Sequence, residues 1–158
     1  MYDLDIHLNS VLLIKVVVID TQMICDEGTD QDKENYLKKV DAKINFASKS
    51  NAPYFIVAGH YPVWSVGDLG SNPCMIARIR PILHQNKVDA YFSGHDHTME
   101  HITDTYFDQT VEYLVAGTAA FVDDSTKSTN TVPVGSLKFT WKTGENQFDG
   151  CTNCSGMH

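Results

Sequence analysis

Pro53-Tyr54-Phe55-Ile56-Val57-Ala58-Gly59-His60-Tyr61-Pro62 is the stretch on which the fold turns. A run of strand-forming apolar residues stops at a glycine and then presents an imidazole. A second stretch does the same, where Val88-Asp89-Ala90-Tyr91-Phe92 leads into Ser93-Gly94-His95-Asp96-His97. Glycine lets the backbone approach closely, and the strand fixes the histidine that follows it. Two such ends, one with a further His two residues on, point to a metal site and to hydrolysis. Neutral imidazole is a common ligand for zinc, iron and manganese. At a strand end, where the backbone turns, His95 and His97 can diverge toward neighbouring ions. Asp96 between them reads as orienting a ring or as accepting a hydrogen bond from behind the ligands. Tyr61 and Trp64, just after His60, read as aromatic walls of the cleft, with plain aromatic packing the competing reading. For His7, His84, His101 and His158, each alone in its segment, a surface or core role is the simpler reading.

Outward from these two ends the chain reads as alternating strands and helices. Val11-Leu12-Leu13-Ile14 resumes after Lys15 as Val16-Val17-Val18-Ile19, which suits a central strand over 11–20, apolar on both faces. Thr29 and Asp32 resemble a capping box, with Asp where Glu or Gln is usual. A helix is predicted over 31–48, where Tyr36, Leu37, Val40, Ile44 and Ala47 fall at helical spacing. A strand over 54–58 delivers His60. Residues 61–73 hold two glycines and two prolines and read as a loop. Residues 74–86 read as a second helix, bent at Pro81. A strand over 88–92 delivers His95 and His97. Three more strands are predicted at 99–103, 111–116 and 136–142. The order implies an α/β fold with a parallel core sheet, an antiparallel extension and helices outside.

Bulk properties set the class. The chain has 158 residues, enough for one domain with a core, and 42% of them are hydrophobic. Net charge is −8, with 12 basic against 20 acidic residues. That excludes nucleic acid or an anionic membrane as the main partner, since both need clustered Lys and Arg. No apolar run reaches the length of a membrane span. The start, Met1-Tyr2-Asp3-Leu4-Asp5, lacks the basic region of a secretory signal. Cys25 and Cys74 leave one disulfide open as a possibility. Cys151 and Cys154 form a lone CxxC in a stretch, 144–158, read as an irregular tail.

The segments Val57-Ala58-Gly59-His60-Tyr61-Pro62-Val63-Trp64-Ser65, Arg80-Pro81-Ile82-Leu83 and Gly94-His95-Asp96-His97 together resemble the calcineurin-like metallophosphoesterase superfamily. Within it they are similar to the tartrate-resistant, or purple, acid phosphatases. Ile19-Asp20-Thr21 followed by Cys25, and Cys74 just before the second helix, fit as well. The resemblance runs over about 11–143 and matches the C-terminal part of the family domain. It implies a mixed α/β sandwich and hydrolysis of phosphate monoesters at a bimetal centre, Fe(III) beside Fe(II), Zn or Mn. It implies His60 and His95 as ligands of the divalent ion and His97 of the ferric one. It also implies a Cys25–Cys74 disulfide, and a secreted or lysosomal parent.

The family's early segments have no match here. The chain has no Gly-Asp-x-x-Tyr and no Gly-Asn-His, and Gly67-Asp68 comes after His60. A substrate-facing histidine expected nine residues after the first ligand is Leu69, so no catalytic acid is assigned. The expectation is therefore a single incomplete domain over 1–158. It should hold at most one weak divalent ion and be weak or inactive alone. It should be a monomer, or need a missing N-terminal part. A related enzyme acting on nucleotides or phosphodiesters, or a non-catalytic fragment, are the other readings.

Overall fold

In the computed structural model, which describes residues 1–119 and 122–142, one seven-stranded sheet organises the chain. The strands are β1 (Tyr2–Leu8), β2 (Val11–Val18), β3 (Tyr54–Ala58), β4 (Ala90–Ser93), β5 (Met99–Tyr106), β6 (Gln109–Ala116) and β7 (Leu137–Thr140). The helices are α1 (Gln22–Cys25), α2 (Asp30–Ala47), α3 (Pro73–Arg78) and α4 (Arg80–Gln85). Spatial order is β1-β2-β3-β4-β6-β5-β7. The central strands β2, β3, β4 and β6 run parallel; β1, β5 and β7 pair antiparallel at the flanks. The expected α/β class with a mixed sheet therefore holds. Cys151 and Cys154, and the tail that carries them, lie outside the described residues.

Local chemistry explains the elements. The Thr29 hydroxyl accepts from the Asp32 amide, and the Asp32 carboxylate accepts in return from the Thr29 amide at 3.0 Å. Asp thus completes the capping box that starts α2. Asn72 starts α3 by accepting from the Cys74 and Met75 amides. The single bent helix expected over 74–86 is instead two helices. Pro81 has no N–H to give, so the ladder breaks at Ile79 and restarts with proline in the first turn of α4. Cys25 and Cys74 are joined by a disulfide with Cα atoms 5.9 Å apart, which ties α1 to the start of α3.

The first strand escaped the sequence reading. Tyr2, Leu4, Ile6 and Leu8 alternate with Asp3, Asp5 and His7, and Asn9 and Ser10 both take positive φ (49° and 67°). That is the geometry of a two-residue hairpin turn. Lys15 fixes the register by donating to Asp3 at 2.5 Å and to Asp5 at 2.7 Å, while Lys43 on α2 also reaches Asp3.

The core lies between the sheet and its helices. Val17, Val57, Tyr91, Ile102, Val111 and Tyr113 point toward Val40, Ile44, Met75, Ile79 and Leu83, all essentially without solvent contact. Among the described residues, all four helices pack on this face. The opposite face of the sheet stays half-exposed.

Candidate metal centre

The C-terminal ends of β3 and β4 are neighbours in the parallel sheet, and they carry His60 and His95. Backbone bonds join the two ends. Gly59 donates to the Phe92 carbonyl at 3.0 Å, and Gly94 donates to the His60 carbonyl at 3.1 Å. Their imidazoles meet as a result, with His60 Nε2 3.1 Å from His95 Nδ1. One ring donates and the other accepts. His95 sits at φ 67°, in the left-handed region that few residues other than glycine adopt. This turn of the backbone is what swings its ring across to His60. Burial first, and then the neighbouring His60, hold the His95 imidazole below its ordinary pKa, so the ring favours its neutral, ligating form.

Tyr61 backs this pair. Its ring centroid lies 4.6 Å from that of His95 and 5.4 Å from that of His60, and its hydroxyl donates to Asp26 at 2.6 Å. Its amide donates to the Thr21 hydroxyl, and its carbonyl accepts from the buried Tyr91 hydroxyl at 2.8 Å. Tyr61 is therefore clamped at three points and holds both imidazoles from one side.

Two depressions flank the histidine pair. One, of about 440 Å³, is lined by Met1, Tyr2, Asp20, Ala58 and His60 among others. The other, of about 230 Å³, is lined by Asp68, Leu69, His95, Asp96, His97 and Asp123. His97 thus shares a depression with His95, while His60 opens into the other. The position where a histidine was expected, Leu69, lines the second depression and is 60% exposed. Among the described residues, no group of three or more His, Cys, Asp or Glu side chains is placed to hold one ion.

Two sequence-level readings come out differently. Trp64 does not wall the cleft. It is buried, and its indole N–H donates to Asp104 on β5 at 3.3 Å. Asp96 does not orient an imidazole through its carboxylate. That group accepts from the Ser65 hydroxyl at 2.6 Å and from the Gly70 amide at 3.1 Å, which pins the 65–70 loop beneath the second depression. Ser65 also lies 2.9 Å from Glu100, so one hydroxyl proton serves two buried carboxyl groups. Burial raises the Glu100 carboxyl above its ordinary value, against donation from the Val66 amide and from Thr98 and Ser65. Nothing in the periodicity marked Glu100 or Asp104. The one available signal was an acidic residue at alternate positions of an otherwise inward strand face.

His84 and His101 lie away from the pair. His84 is buried, with Nδ1 2.8 Å from the Gln109 carbonyl and Nε2 3.0 Å from the Tyr113 hydroxyl. His101 pairs with Glu112 on the half-exposed face at 2.6 Å.

Comparison with known proteins agrees with this geometry. The family model for calcineurin-like phosphoesterases matches residues 6–99. Human tartrate-resistant acid phosphatase type 5 is 30% identical over 139 residues, which is 82% of this chain and 42% of that protein. The rat protein of the same name is 32% identical over 143 residues. Purple acid phosphatase 3 of Arabidopsis thaliana is 35% identical over 83 residues, 52% of this chain and 21% of that one. The chain spans about two fifths of the length of the first two relatives. Two solved structures share the fold. One is GAP50, described as the anchor in the inner membrane complex of Plasmodium (TM-score 0.68, 23% identity, 88% of this chain and 42% of that one). The other is the purple acid phosphatase PPD1 from yellow lupin seeds (TM-score 0.56, 14% identity, 80% and 24%). With strand-end histidines on a mixed sheet and the family model spanning more than half its length, this chain belongs to the calcineurin-like phosphoesterase family.

Proposed function

We propose that this chain carries part of a metal-dependent phosphate-monoester hydrolase of the acid phosphatase type, and that His60, His95 and His97 are its contribution to the metal centre. The observation that supports this most is the pair of ring nitrogens 3.1 Å apart at adjoining strand ends. Two imidazole nitrogens this close suit a single divalent ion of borderline softness once the ion displaces the proton they share. They do not suit a ferric ion, whose hard charge calls for carboxylate or phenolate oxygens. Here the nearby carboxylates serve the fold. Asp96 holds the 65–70 loop, and Asp20 accepts from the Gln22 and Met23 amides that open α1. A divalent ion bound there would supply Lewis-acid polarisation of a phosphate oxygen.

The chain's own residues do the rest. His60 and His95 bind; Tyr61 and the paired glycines hold the rings in place; the depression beside His97 and Leu69 receives the ester. Leu69 has no proton to give a leaving alkoxide, so the donor expected at that position is replaced by an apolar side chain. The activity of this chain alone is accordingly at most a trace, and a complete centre needs ligands from outside the part matched here. A parent in a secreted or lysosomal compartment agrees with the Cys25–Cys74 disulfide, which persists where thiols are oxidised. Among the described residues, no helix is long and apolar enough to cross a membrane.

The test is calorimetric titration of the purified chain with zinc, alongside hydrolysis of p-nitrophenyl phosphate. One weakly bound ion per chain is expected, lost in both His60→Ala and His95→Ala, with turnover near background. Zinc binding that survives both substitutions would refute the assignment.

A further inference from the structure

The Tyr61 ring rests against both imidazoles, and what holds that ring comes from a distant part of the chain. The single turn of α1 grips Tyr61 from its two ends. Thr21, just before the turn, accepts from the Tyr61 amide at 3.0 Å. Asp26, just after it, accepts from the Tyr61 hydroxyl at 2.6 Å, across 35 residues of sequence.

The clamps on Tyr61 differ in what they fix. The bonds to Thr21 and from Tyr91 hold its backbone. The bond to Asp26 holds the far end of its ring. Tyr61 is only partly buried against the core, so packing alone does not immobilise that ring. It meets His95 edge-on, with centroids 4.6 Å apart and planes at 65°, and the two imidazoles meet each other at 72°. Edge-on contacts between rings depend on tilt. A Tyr61 ring free to swing would no longer define where the imidazoles come to rest with their nitrogens 3.1 Å apart.

Asp26 in turn has a definite place. Its amide donates to the Gln22 carbonyl at 2.8 Å and closes the turn. Ile24 inside the turn is wholly buried, and Cys25, its last residue, is crosslinked to Cys74 on α3. A turn of four residues has no stability of its own, so these anchors fix it. The Asp26 carboxylate is exposed and makes no ion pair among the described residues, so its bond to Tyr61 is not one strand of a salt-bridge network that holds the fold. A hydroxyl bonded to a charged acceptor is held more strongly than one bonded to a neutral group, which suits a ring that solvent can reach.

We propose that Asp26 is a positioning residue for the metal centre, fixing through the Tyr61 hydroxyl the ring against which His60 and His95 come together. This rests on the reading of His60 and His95 as ligands, and it extends the centre to a turn that sequence reading had tied only to a disulfide.

The test uses two readouts on the purified chain. Calorimetric titration gives the zinc affinity, and long-range proton–nitrogen correlation spectra give the imidazole nitrogen shifts of His60 and His95 in the metal-free chain. Asp26→Ala should lower the affinity about tenfold, the lower end of what loss of a group behind the ligands costs, and should move the His95 shifts. Tyr61→Phe keeps the ring, loses its anchor and should do the same. The double variant should be no worse than either, because both changes remove one bond. Asp26→Asn keeps an acceptor oxygen without the charge and should come within about threefold of the parent affinity. Glu27→Ala, which removes the neighbouring exposed charge, should move neither readout. Losses that add in the double variant would overturn the proposal. So would an Asp26→Asn as weak as Asp26→Ala, or a Glu27→Ala that matches it, since either assigns the effect to charge. Zinc bound equally by the parent and Asp26→Ala, with unmoved shifts, overturns it while the metal assignment stands. A parent chain that binds no zinc sinks the metal assignment, and matching shift changes in metal-free Asp26→Ala and Tyr61→Phe then still support Asp26 as what positions the pair.

Discussion

Gly59→Ala should damage the site through packing, and the structure says through which atoms. A methyl group at this position would lie 2.6 Å from the Tyr91 hydroxyl and 2.7 Å from the Thr21 methyl. Ordinary contact needs about 0.8 Å more at each. Neither neighbour is free to retreat. Tyr91 is fully buried and donates to the Tyr61 carbonyl, and Thr21 accepts from the Tyr61 amide. The expected cost is about 2–4 kcal/mol, from overpacking of about 1–3 and a weakened hydrogen bond of about 1. Tyr91→Phe alone should cost about 1 kcal/mol, for the unmet Tyr61 carbonyl. The double variant removes the nearer obstacle, so its loss should fall about 1 kcal/mol short of the sum. It should not recover fully, because Thr21 still stands in the way. Urea unfolding of all four proteins at common slope measures the coupling. Additivity within about 0.4 kcal/mol, or a Gly59→Ala loss below about 0.5, would refute the reasoning.

Other outcomes follow from the same contacts. Replacing Cys25 and Cys74 by serine reopens a loop with a sequence separation of 49 and should cost about 4 kcal/mol in the chain-entropy account. A melting temperature unmoved by the change or by reductant would contradict it. Asp104→Ala should cost about 3 kcal/mol or more. It strands Arg80, which stacks 4.1 Å from the Tyr106 ring, and leaves the Trp64 N–H unmet; thermal unfolding reads the loss. Burial alone would raise the Asp104 carboxyl, but His84, Arg80 and Trp64 outweigh it and hold it well below the carboxylate range. Bonds from Lys15 and then Lys43 lower the Asp3 carboxyl from 3.8 to about 2. Its stabilisation is therefore complete above the ordinary value and fades as pH falls through about 2. Asp3→Asn should lower the melting temperature near neutral pH and converge on the parent protein in strong acid.

What the sequence made legible follows from physical period. β3 and α2 were placed to within a residue, because the strand is a short apolar run closed by glycine and the helix repeats at a clear spacing. β1 was missed although it alternates cleanly, since its acids look like an exposed start until Lys15 is known to sit opposite them. Trp64 and Asp96 were each placed one layer too near the site. Proximity in sequence to a histidine says nothing about which side of a loop a residue faces. Trp64 turns inward to Asp104, and Asp96 turns under to Ser65. Glu100 and Asp104 stayed invisible because a buried carboxylate on a strand is legible chiefly through its partners, and Ser65, Val66, Arg80 and Trp64 lie 24 to 40 residues away in the chain.

Those buried acids bear on competence. A phosphoester centre with two ions needs carboxylates that are free to face a cation. Here Asp96, Glu100 and Asp104 accept from Ser65, Val66, Gly70, Arg80 and Trp64, and the segment from His95 to Asp104 is braced by them from within. Turning any of them outward would unpin the 65–70 loop or strand Arg80. These acids are engaged in the fold, while His95 keeps its left-handed turn against His60. In the proposed reading, oxygen ligands for a second ion come from groups other than these three acids, and the open rim at Met1, Tyr2 and Asp20 is one side from which they could reach the pair. That rim borders the sheet face away from the helices, since Tyr2, Val18 and Ala58 line the depression and also share one cross-strand row of that face.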